Sequence, residues 1–347
     1  MSNRLGLAVV GTGMAATPHA RALNDLRDLI DVRGVYSRTE NSRAAFAAEH
    51  GFVAAPSIDA LADDPDVNAV LIITPPNQRH ALVTRFAEAG KHILMEKPVE
   101  RTTQAAKELV RICDTHGVQL GIVFQHRFRK VSQTLNSLVA SGALGDIGVV
   151  RVSVPWWRDQ AYYDEPGRGT YARDGGGVLI SQAIHTLDLM LAIAGPVEEV
   201  QAVSVTTPFH RMESEDFVAA GLRFQTGAAG ALMATTASFP GDADSITIDG
   251  TLASAHLQAG VLTVRHRDGK TDTYGETSGT GGGADPMAFP HDWHQSLIRS
   301  FASAVMAGRP FEVSGRDVLK VHCLIDALVT SSREKRAISI APTSPPE

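Results

Sequence analysis

Hydrophobic positions in the first third of the chain form short, nearly continuous runs, each followed by a stretch in which apolar residues recur at helical spacing. The runs fall at residues 5–11, 32–38, 68–74, 91–97 and 118–124. Continuous apolar runs are typical of strands buried on both faces, as in a parallel sheet that helices cover on its two sides. The pattern therefore predicts an α/β domain with a doubly wound parallel sheet over residues 1–124.

The pattern changes after Phe124. Beyond an apolar helical segment that contains His185, short strand-like runs follow one another without helices between them, among them EVQAVSV, FVAAGLRF, SITIDG and VLTVRHR. Strands connected in this way favour an antiparallel sheet. We therefore predict an α+β domain with an open, mainly antiparallel sheet over residues 125–347, and a length of 347 residues agrees with two domains.

Composition excludes several classes of function. With 44% hydrophobic residues, 20% charged residues and a formal net charge of −6, nothing favours a nucleic-acid partner. The two cysteines, Cys113 and Cys323, stand in apolar helical patterns, which excludes a disulfide scaffold and a cysteine-rich metal site. No apolar run is long enough to span a bilayer, and the first strand leaves no room for a signal peptide. We expect a cytoplasmic protein without a membrane partner.

A glycine-rich turn joins the first strand to the first helix. Its letters GTGMAA cover residues 11–16. In a strand–turn–helix context the first glycine permits the tight turn, the second lets the backbone approach a pyrophosphate, and a small third residue lets the helix pack closely. We expect a dinucleotide cofactor here, bound by Gly11, Gly13, Met14 and Ala15, although small residues also suit an ordinary strand-to-helix turn.

The end of the second strand bears on the choice of cofactor. An NAD enzyme usually carries an acidic residue there, which binds the ribose hydroxyls. This chain has Ser37 and Arg38, with Arg43 a little further on. A hydroxyl and a guanidinium suit a 2′-phosphate, so NADP is favoured over NAD. The alternative is that both arginines are solvated cations at the start of a helix.

Three polar side chains interrupt the apolar segment DGGGVLISQAIHTLD, residues 174–188. If a helix begins just after the glycines, Ser181, His185 and Asp188 lie at i, i+4 and i+7, which is one stripe on one face. A buried polar stripe costs free energy unless its groups are paired or meet a ligand. The segment therefore predicts the wall of a polar pocket, and an ordinary pKa of about 6.5 suits His185 to exchange a proton. A core histidine bonded to a carbonyl is the alternative.

Three motifs occur in order along the chain: GTGMAA, then TPPNQRH followed by GKHILMEKP, then DGGGVLISQAIHTLD. Together they resemble the glucose-fructose oxidoreductase / inositol dehydrogenase / rhizopine catabolism (Gfo/Idh/MocA) family of nicotinamide-dependent oxidoreductases, over essentially the whole chain. The resemblance implies a Rossmann domain followed by an α+β domain. It also implies that the open sheet of the second domain forms the interface of a homodimer or homotetramer.

The same resemblance implies roles for single residues. Lys97, in the EKP motif, corresponds to the catalytic lysine of the family, and His185 to its catalytic histidine. A lysine that ends an apolar strand at a ligand crevice is also placed to polarise an alcohol or carbonyl, although a surface lysine that caps a strand is the alternative. The residues implied to line the cofactor crevice are Thr74, Pro75, Asn77, His80, Glu96 and Lys97.

One position departs from the family. Many relatives carry an aspartate four residues before the histidine and some carry an asparagine, whereas this chain has Ser181. Serine supplies no carboxylate to hold or charge the imidazole. We therefore assign acid/base work to His185 and Lys97, and substrate binding to Ser181. Asp188 either orients His185 or pairs with a nearby donor.

The segment before the three glycines, PWWRDQAYYDEPGRGTYARD, is rich in aromatic residues beside arginines and carboxylates. Aromatic faces stack on sugar rings, and charged groups bind their hydroxyls, so a sugar-like pocket is expected. The segment also resembles a family branch that includes dehydrogenases of sugar nucleotides such as UDP-N-acetylglucosaminuronate. Residue composition and resemblance together predict these substrate-binding residues: Gln125, Arg127, Trp156, Arg158, Tyr163, Ser181, His185 and His294. No metal is predicted, since His291 and His294 lack an evident third ligand.

These observations predict an oxidoreductase that moves hydride between NADP or NAD and a secondary hydroxyl or carbonyl of a sugar, sugar derivative or cyclic polyol. Three alternatives use the same fold. One is an NAD-assisted glycosidase that recycles its cofactor, another is a dehydrogenase of aromatic dihydrodiols, and the third is a non-catalytic sensor that binds the cofactor. The expected partners are a small-molecule substrate and further copies of the chain.

Overall fold

A computed structural model describes residues 4–277 and 290–341. Within them the chain forms two compact units, one of residues 4–125 with 290–318 and one of residues 126–277 with 319–341. The predicted second domain included residues 290–318, whereas here this stretch belongs to the first unit. The reason is that its helix packs against the first helix of the chain and the fifth strand.

The elements follow one another in this order. The strands are β1 (Leu5–Val10), β2 (Ile30–Tyr36), β3 (Ala69–Ile72), β4 (His92–Glu96), β5 (Leu120–Val123), β6 (Ile147–Pro155), β7 (Val197–Val205), β8 (Phe217–Phe224), β9 (Ala229–Thr235), β10 (Ser245–Gly250), β11 (Ala253–Gln258), β12 (Val261–His266), β13 (Thr271–Gly275) and β14 (Ile338–Ser339). The helices are α1 (Ala16–Asp25), α2 (Glu40–His50), α3 (Ile58–Ala62), α4 (Arg79–Glu88), α5 (Thr103–Thr115), α6 (Lys130–Ala140), α7 (Gln160–Tyr163), α8 (Ile184–Ala194), α9 (Asp292–Met306) and α10 (Gly315–Glu334). Shorter turns are the 3-10 turns Pro76–Gln78 and Gln125–Phe128 and the π-helical turn Leu179–Ala183.

The first unit contains a five-stranded parallel sheet in the order β2-β1-β3-β4-β5. Each of the five predicted runs forms one of its strands, which confirms the doubly wound prediction. Every residue of β1, β3 and β5 is buried. Burial on both faces is the reason why these strands are apolar without alternation.

The second unit contains a nine-stranded sheet in the order β13-β12-β11-β10-β6-β9-β8-β7-β14. All neighbouring strands are antiparallel except β6 and β9, which are parallel, so the prediction of an open, mainly antiparallel sheet is confirmed. Along β6, Val150, Val152 and Val154 are buried while the residues between them are more exposed. This alternation is typical of a sheet with one covered face, and helices α6 and α8 pack against it.

Helix α8 is the central helix of the second unit. All its residues are buried except Ala192, so it lacks the polar outer face of a surface helix. Its apolarity therefore reflects a core position in this unit. Of the helices in residues 4–277 and 290–341, none combines the length and the apolarity that a membrane crossing requires.

Candidate active site

The turn between β1 and α1 has the shape that a pyrophosphate-binding loop needs. Gly11 adopts φ 111°, and a Cβ added to it would lie 2.9 Å from the carbonyl carbon of Ile73, so only glycine fits there. A Cβ on Gly13 would meet nothing within 4 Å, and Met14 is 59% exposed, so the loop is open. Helix α1 has no side-chain cap at Ala15 and no acidic residue in its first turn. Its N–H groups are thus available to an anion, and the loop fits a dinucleotide.

The end of β2 carries positive charge. Arg38 is exposed just beyond the strand, and the Ser37 hydroxyl donates a hydrogen bond to the Thr39 carbonyl at 3.3 Å. The Arg43 guanidinium lies 5.2 Å from the centre of the Tyr36 ring. Across residues 4–277 and 290–341, no carboxylate forms an ion pair with Arg38 or Arg43. The predicted site for a 2′-phosphate is therefore electrostatically suitable.

The end of β3 supplies further residues predicted to contact the cofactor. The Thr74 hydroxyl is buried and has no hydrogen-bond partner among the described residues. Pro75, Asn77 and His80 are exposed around the 3-10 turn and the start of α4. The backbone of Ile73 and Thr74 lies directly against Gly11, so this stretch and the phosphate loop form one edge of the sheet. Ligands of doubly wound sheets bind along this edge.

Lys97 follows β4 at the same edge. In the register of the sheet, Val10 pairs with Ile72 and Ile72 with Met95, so Gly11 and Glu96 occupy the next row. Because neighbouring strands are about 4.8 Å apart, Lys97 lies roughly 10 Å from the phosphate loop, within the span of a dinucleotide. The Lys97 side chain is half-buried, and the Lys97–Pro98 peptide bond is cis.

Glu96 belongs to a buried cluster that the sequence did not reveal. The His19 Nε2–H group donates to Glu96 Oε1 at 2.7 Å, and the rings of His19 and His294 meet edge to face with centres 4.7 Å apart. Burial alone would raise the pKa of Glu96, but the His19 hydrogen bond and the neighbouring positive charges lower it to about 2. Burial, with repulsion from His19, lowers the pKa of His294 to about 3, so its imidazole is neutral at physiological pH.

The three potential ligand atoms of this cluster lie within 4.8 Å of one another, close enough to hold a metal ion. A ligating histidine normally donates its second N–H to an acceptor, whereas His19 Nδ1 has no partner within the described residues. The Glu96 carboxylate is already engaged, accepting from His19 and from the Lys97 backbone N–H at 3.1 Å. The cluster is therefore a hydrogen-bonded one, and we propose no metal for it.

Two residues predicted to bind substrate lie in this unit. His294 is 2% exposed, and Gln125 is buried and has an amide oxygen without a described partner.

In the second unit, the glycine-rich segment enters its helix through the π-helical turn rather than as the regular α-helix predicted. The Glu215 carboxylate accepts hydrogen bonds from the N–H groups of Gly177 at 3.2 Å and Leu179 at 3.1 Å, and the Glu215 carbonyl accepts from Val178. These bonds satisfy N–H groups that the first turn leaves open. Turns of the π type occur frequently at functional sites.

One polar residue of this segment, Asp188, is committed to an arginine outside it. Arg127 donates to Asp188 through Nε at 2.7 Å and through Nη2 at 2.6 Å, a bidentate pair in which Asp188 is 1% exposed. Of the two roles considered for Asp188, the geometry supports pairing with a donor. Ser181 is half-buried in the π-helical turn, while substrate binding by Arg127 and Ser181 stays a prediction.

His185 is 8% exposed and has neighbours that the sequence did not point to. Its ring stacks on that of His126, with centres 4.8 Å apart and an angle of 26° between the planes. Arg129 donates a hydrogen bond to His126 Nε2, which places the His126 proton on Nδ1, 4.0 Å from an oxygen of Asp244. The Thr186 hydroxyl donates to the same Asp244 oxygen at 2.8 Å. A buried carboxylate thus lies near His126, the ring on which His185 stacks, although position 181 is a serine.

The aromatic segment is more deeply packed than a free sugar-binding surface. Trp156 is 6% exposed, and its indole N–H has no hydrogen-bond partner in the part of the chain that the structure describes. Arg158 is 3% exposed, lies 5.3 Å from the Trp156 ring and donates to the Trp157 carbonyl. The Tyr163 hydroxyl is hydrogen-bonded to Thr236 at 2.6 Å, and burial raises the pKa of Tyr163. Of the predicted substrate residues here, Trp156 retains an unused donor.

Comparisons with known proteins agree with this geometry. Residues 5–124 match the model of an oxidoreductase family with an NAD-binding Rossmann fold, and residues 132–256 match that of the GFO/IDH/MocA C-terminal domain. The chain is 23% identical to a scyllo-inositol 2-dehydrogenase (NADP(+)) of Bacillus subtilis, over 96% of this chain and 95% of the relative. It is 27% identical to a myo-inositol 2-dehydrogenase of Thermotoga maritima, over 96% and 98% of the two chains.

Among solved structures, the WlbA dehydrogenase of Bordetella pertussis in complex with NADH and UDP-GlcNAcA is similar, with a TM-score of 0.82 and 26% identity. The match covers 97% of this chain and 99% of that one. Both halves of the chain therefore match the two domains of one family, in the same order. The chain belongs to the Gfo/Idh/MocA family and is an NAD(P)-dependent oxidoreductase that acts on CH–OH groups.

Proposed function

We propose that this protein is an NADP-preferring dehydrogenase or reductase of a secondary hydroxyl or carbonyl in a sugar, sugar derivative or cyclic polyol. The observation that carries the proposal is the position of Lys97, half-buried at the end of β4 and two strands away from the phosphate loop. An ammonium group there can bind the oxygen of a substrate whose carbon faces the nicotinamide. The names of the inositol dehydrogenases and of the UDP-GlcNAcA complex support the substrate class.

The residues of this chain divide the work as follows. When bound, the nicotinamide supplies the acceptor or donor of the hydride. Lys97 binds the reacting oxygen and stabilises negative charge that develops on it. In the oxidative direction His185 takes the hydroxyl proton while hydride leaves the same carbon, and in the reductive direction it returns the proton. The His126 ring stacked on His185 keeps the imidazole plane fixed, and Ser181 binds substrate.

The preference for NADP rests on Arg38 and Arg43, which form no ion pair with a described carboxylate and can therefore meet a 2′-phosphate. Relatives of both kinds occur, since the Bacillus subtilis enzyme carries NADP(+) in its name and the Bordetella pertussis structure holds NADH. We therefore expect measurable NAD activity beside the preferred NADP activity. The two cofactors are to be compared in every assay.

We also infer that the chain assembles as a homodimer or homotetramer through the face of the nine-stranded sheet that α6 and α8 do not cover. We call this face the open face. Val149 is 39% exposed, Val203 59% and Val205 45%, and they lie at alternate positions that point away from the buried residues of β6 and β7. Apolar exposure of this kind is typical of an interface. A cytoplasmic location stays a prediction.

The proposed function is tested by following reduced-nicotinamide absorbance with NADP and NAD against a panel of aldoses, inositols, uronates and aromatic dihydrodiols. The wild type is compared with Lys97→Met. We expect a sugar or inositol to reduce the cofactor. The variant should lose at least about a hundredfold in kcat, because the ammonium that stabilises charge on the reacting oxygen is removed, and it should still bind NADPH through the unchanged phosphate loop.

Lys91→Met is the matched control. Lys91 immediately precedes β4 and donates to the Asp64 carbonyl at 2.8 Å, so the same substitution falls at the opposite end of the same strand. It should leave kcat within about twofold of the wild type, since it lies away from the cofactor edge. If the wild type binds NADPH tightly but no substrate of the panel reduces the cofactor, the result would count against a dehydrogenase. It would favour the glycosidase that recycles its cofactor or the non-catalytic sensor.

A further inference from the structure

A buried arginine touches the turn that carries Lys97. Arg79, the first residue of α4, is 2% exposed and is one of the largest fully buried side chains. Its Nη1 donates to the carbonyl oxygens of Glu96 and Pro98, and its Nη2 to that of Lys97 at 3.4 Å. Its Nε donates to the Thr74 carbonyl at 2.9 Å. One guanidinium therefore holds three consecutive peptide groups at the end of β4 and ties them to the end of β3.

Burying this charge costs free energy that its hydrogen bonds must offset. Among the residues that the structure describes, no carboxylate forms an ion pair with Arg79, so backbone carbonyl dipoles are its hydrogen-bond partners. Burial lowers the pKa of Arg79 to about 10, and the charges of Glu96 and Glu100 offset part of this effect. The side chain is still cationic at neutral pH. A hydrophobic residue of similar volume would fill the space at lower cost but would not orient the carbonyls.

The opposite side of the same turn is held as well. The Glu96 carboxylate accepts the Lys97 N–H at 3.1 Å, and His19 donates to that carboxylate. The peptide group before Lys97 is thus bound at its carbonyl by Arg79 and at its N–H by Glu96. With both ends bound, the direction in which Lys97 leaves the backbone is set before any ligand arrives.

We propose that Arg79 is a positioning residue for Lys97: it holds the peptide groups of residues 96–98 so that the ammonium of Lys97 meets the reacting oxygen in one orientation. The inference rests on the proposed function, because it assigns Lys97 to the reacting oxygen. Arg79 itself touches neither substrate nor cofactor in this role. Its bond to Thr74 makes the ends of β3 and β4 move as one body.

The test compares Arg79→Gln and Arg79→Lys with Arg85→Gln. Arg85 is on the same helix and pairs with Asp59 and Asp63 at the surface, so it receives the same substitution without touching the turn. We expect Arg79→Gln to lose at least about tenfold in kcat with substrate KM within about threefold, since small misplacements of a catalytic group cost rate rather than binding. Arg79→Lys should recover part of the loss, and Arg85→Gln should match the wild type.

A second measurement uses the protein without cofactor. The rate of hydrogen–deuterium exchange in the peptide covering residues 93–101 should increase in Arg79→Gln and increase by a smaller factor in Arg79→Lys. Peptides from β1 and β5 should keep their wild-type rates. Uniform acceleration across the first unit would mean that Arg79 only stabilises the fold. Should Arg79→Gln fail to fold, judged by NADPH binding and the melting temperature, Arg79→Lys carries the same comparison.

A double-mutant cycle with Lys97→Met separates positioning from general structure. If Arg79 acts through Lys97, Arg79→Gln should cost less than about twofold in the Lys97→Met background. An equal loss in both backgrounds, or no loss in either, would overturn the inference. If Lys97→Met alone keeps full activity, it is the proposed function that fails, and the exchange experiment still decides whether Arg79 holds the turn.

Discussion

At the scale of single residues, Arg38 is the side chain on which the proposed cofactor preference depends most. It is exposed after β2 and has no ion-pair partner among the described residues. Its positive charge is therefore available to attract a 2′-phosphate. Replacing it by glutamine removes a charge-assisted contact to NADPH that NADH does not make. We expect the Kd of NADPH to rise about tenfold or more and that of NADH to change less than about twofold, as measured by fluorescence titration.

Arg33→Gln is the control for this experiment. Arg33 lies within β2, five residues before Arg38, but it pairs with Asp31 and Asp66 and stands before the cofactor edge. It should leave both dissociation constants near their wild-type values. Equal weakening of NADPH and NADH binding by Arg38→Gln would show that Arg38 supports the loop rather than the 2′-phosphate.

Single residues were predictable from the sequence where their chemistry is local. The phosphate loop and Lys97 stand in short motifs at strand ends, so their positions could be inferred. Arg79 could not, because its partners are backbone carbonyls that lie up to 19 residues further along the chain. Asp244 could not either, since it reaches Thr186 across 58 positions and no local pattern marks it.

At the scale of elements, the glycine-rich segment packs closely against a neighbouring backbone where it enters its helix. A Cβ added to Gly177 would lie 1.7 Å from the carbonyl oxygen of Glu215. The Gly177→Ala variant must therefore displace the segment before β8 or the π-helical turn. We expect it to lower the free energy of unfolding by on the order of 2 kcal/mol, measured by denaturant unfolding.

Gly221→Ala is the matched substitution in the same unit, because a Cβ there meets nothing within 4 Å. It should change the free energy of unfolding by less than about 0.5 kcal/mol. If Gly177→Ala proved as stable as Gly221→Ala, the close approach to Glu215 would not be a constraint on this element.

The same contact explains why the sequence predicted this element only in part. Apolar spacing predicted a helix around His185, and α8 is there. The spacing could not predict the π-helical turn, because Glu215, 36 to 38 residues further along, accepts the N–H groups that set its geometry. The predicted polar stripe was also incomplete, since Asp188 is committed to Arg127.

At the scale of the whole molecule, hydrophobic periodicity was sufficient to predict the fold class. It was insufficient to predict which residues belong to each of the two units. Continuous apolar runs distinguish the parallel sheet from the alternating strands of the second sheet, and both are present. Residues 290–318 belong to the first unit because α9 packs against α1 and β5, and an amphipathic helix carries no sign of which sheet it will cover.

Assembly is the remaining property at this scale, and the open face makes it testable. In the register of the second sheet, Val203 pairs with Ala219, Ala219 with Met233 and Met233 with Ser153, so these side chains form one row across four strands. A carboxylate placed in the middle of this row would be buried without a partner in an interface formed by this face. Met233 is half-exposed in the single chain, so a folded monomer should tolerate the change.

We therefore expect Met233→Asp to shift the protein from a dimer or tetramer toward a smaller species, seen by light scattering after size exclusion at micromolar concentration. Gln104→Asp adds the same charge on the exposed side of α5 and should leave the mass unchanged. Because each chain carries its own predicted cofactor loop and Lys97, the smaller species should still bind NADPH. An unchanged mass for Met233→Asp, or a wild type that is already a monomer, would refute assembly through this sheet, since a buried carboxylate without a partner costs more than an interface of this kind tolerates.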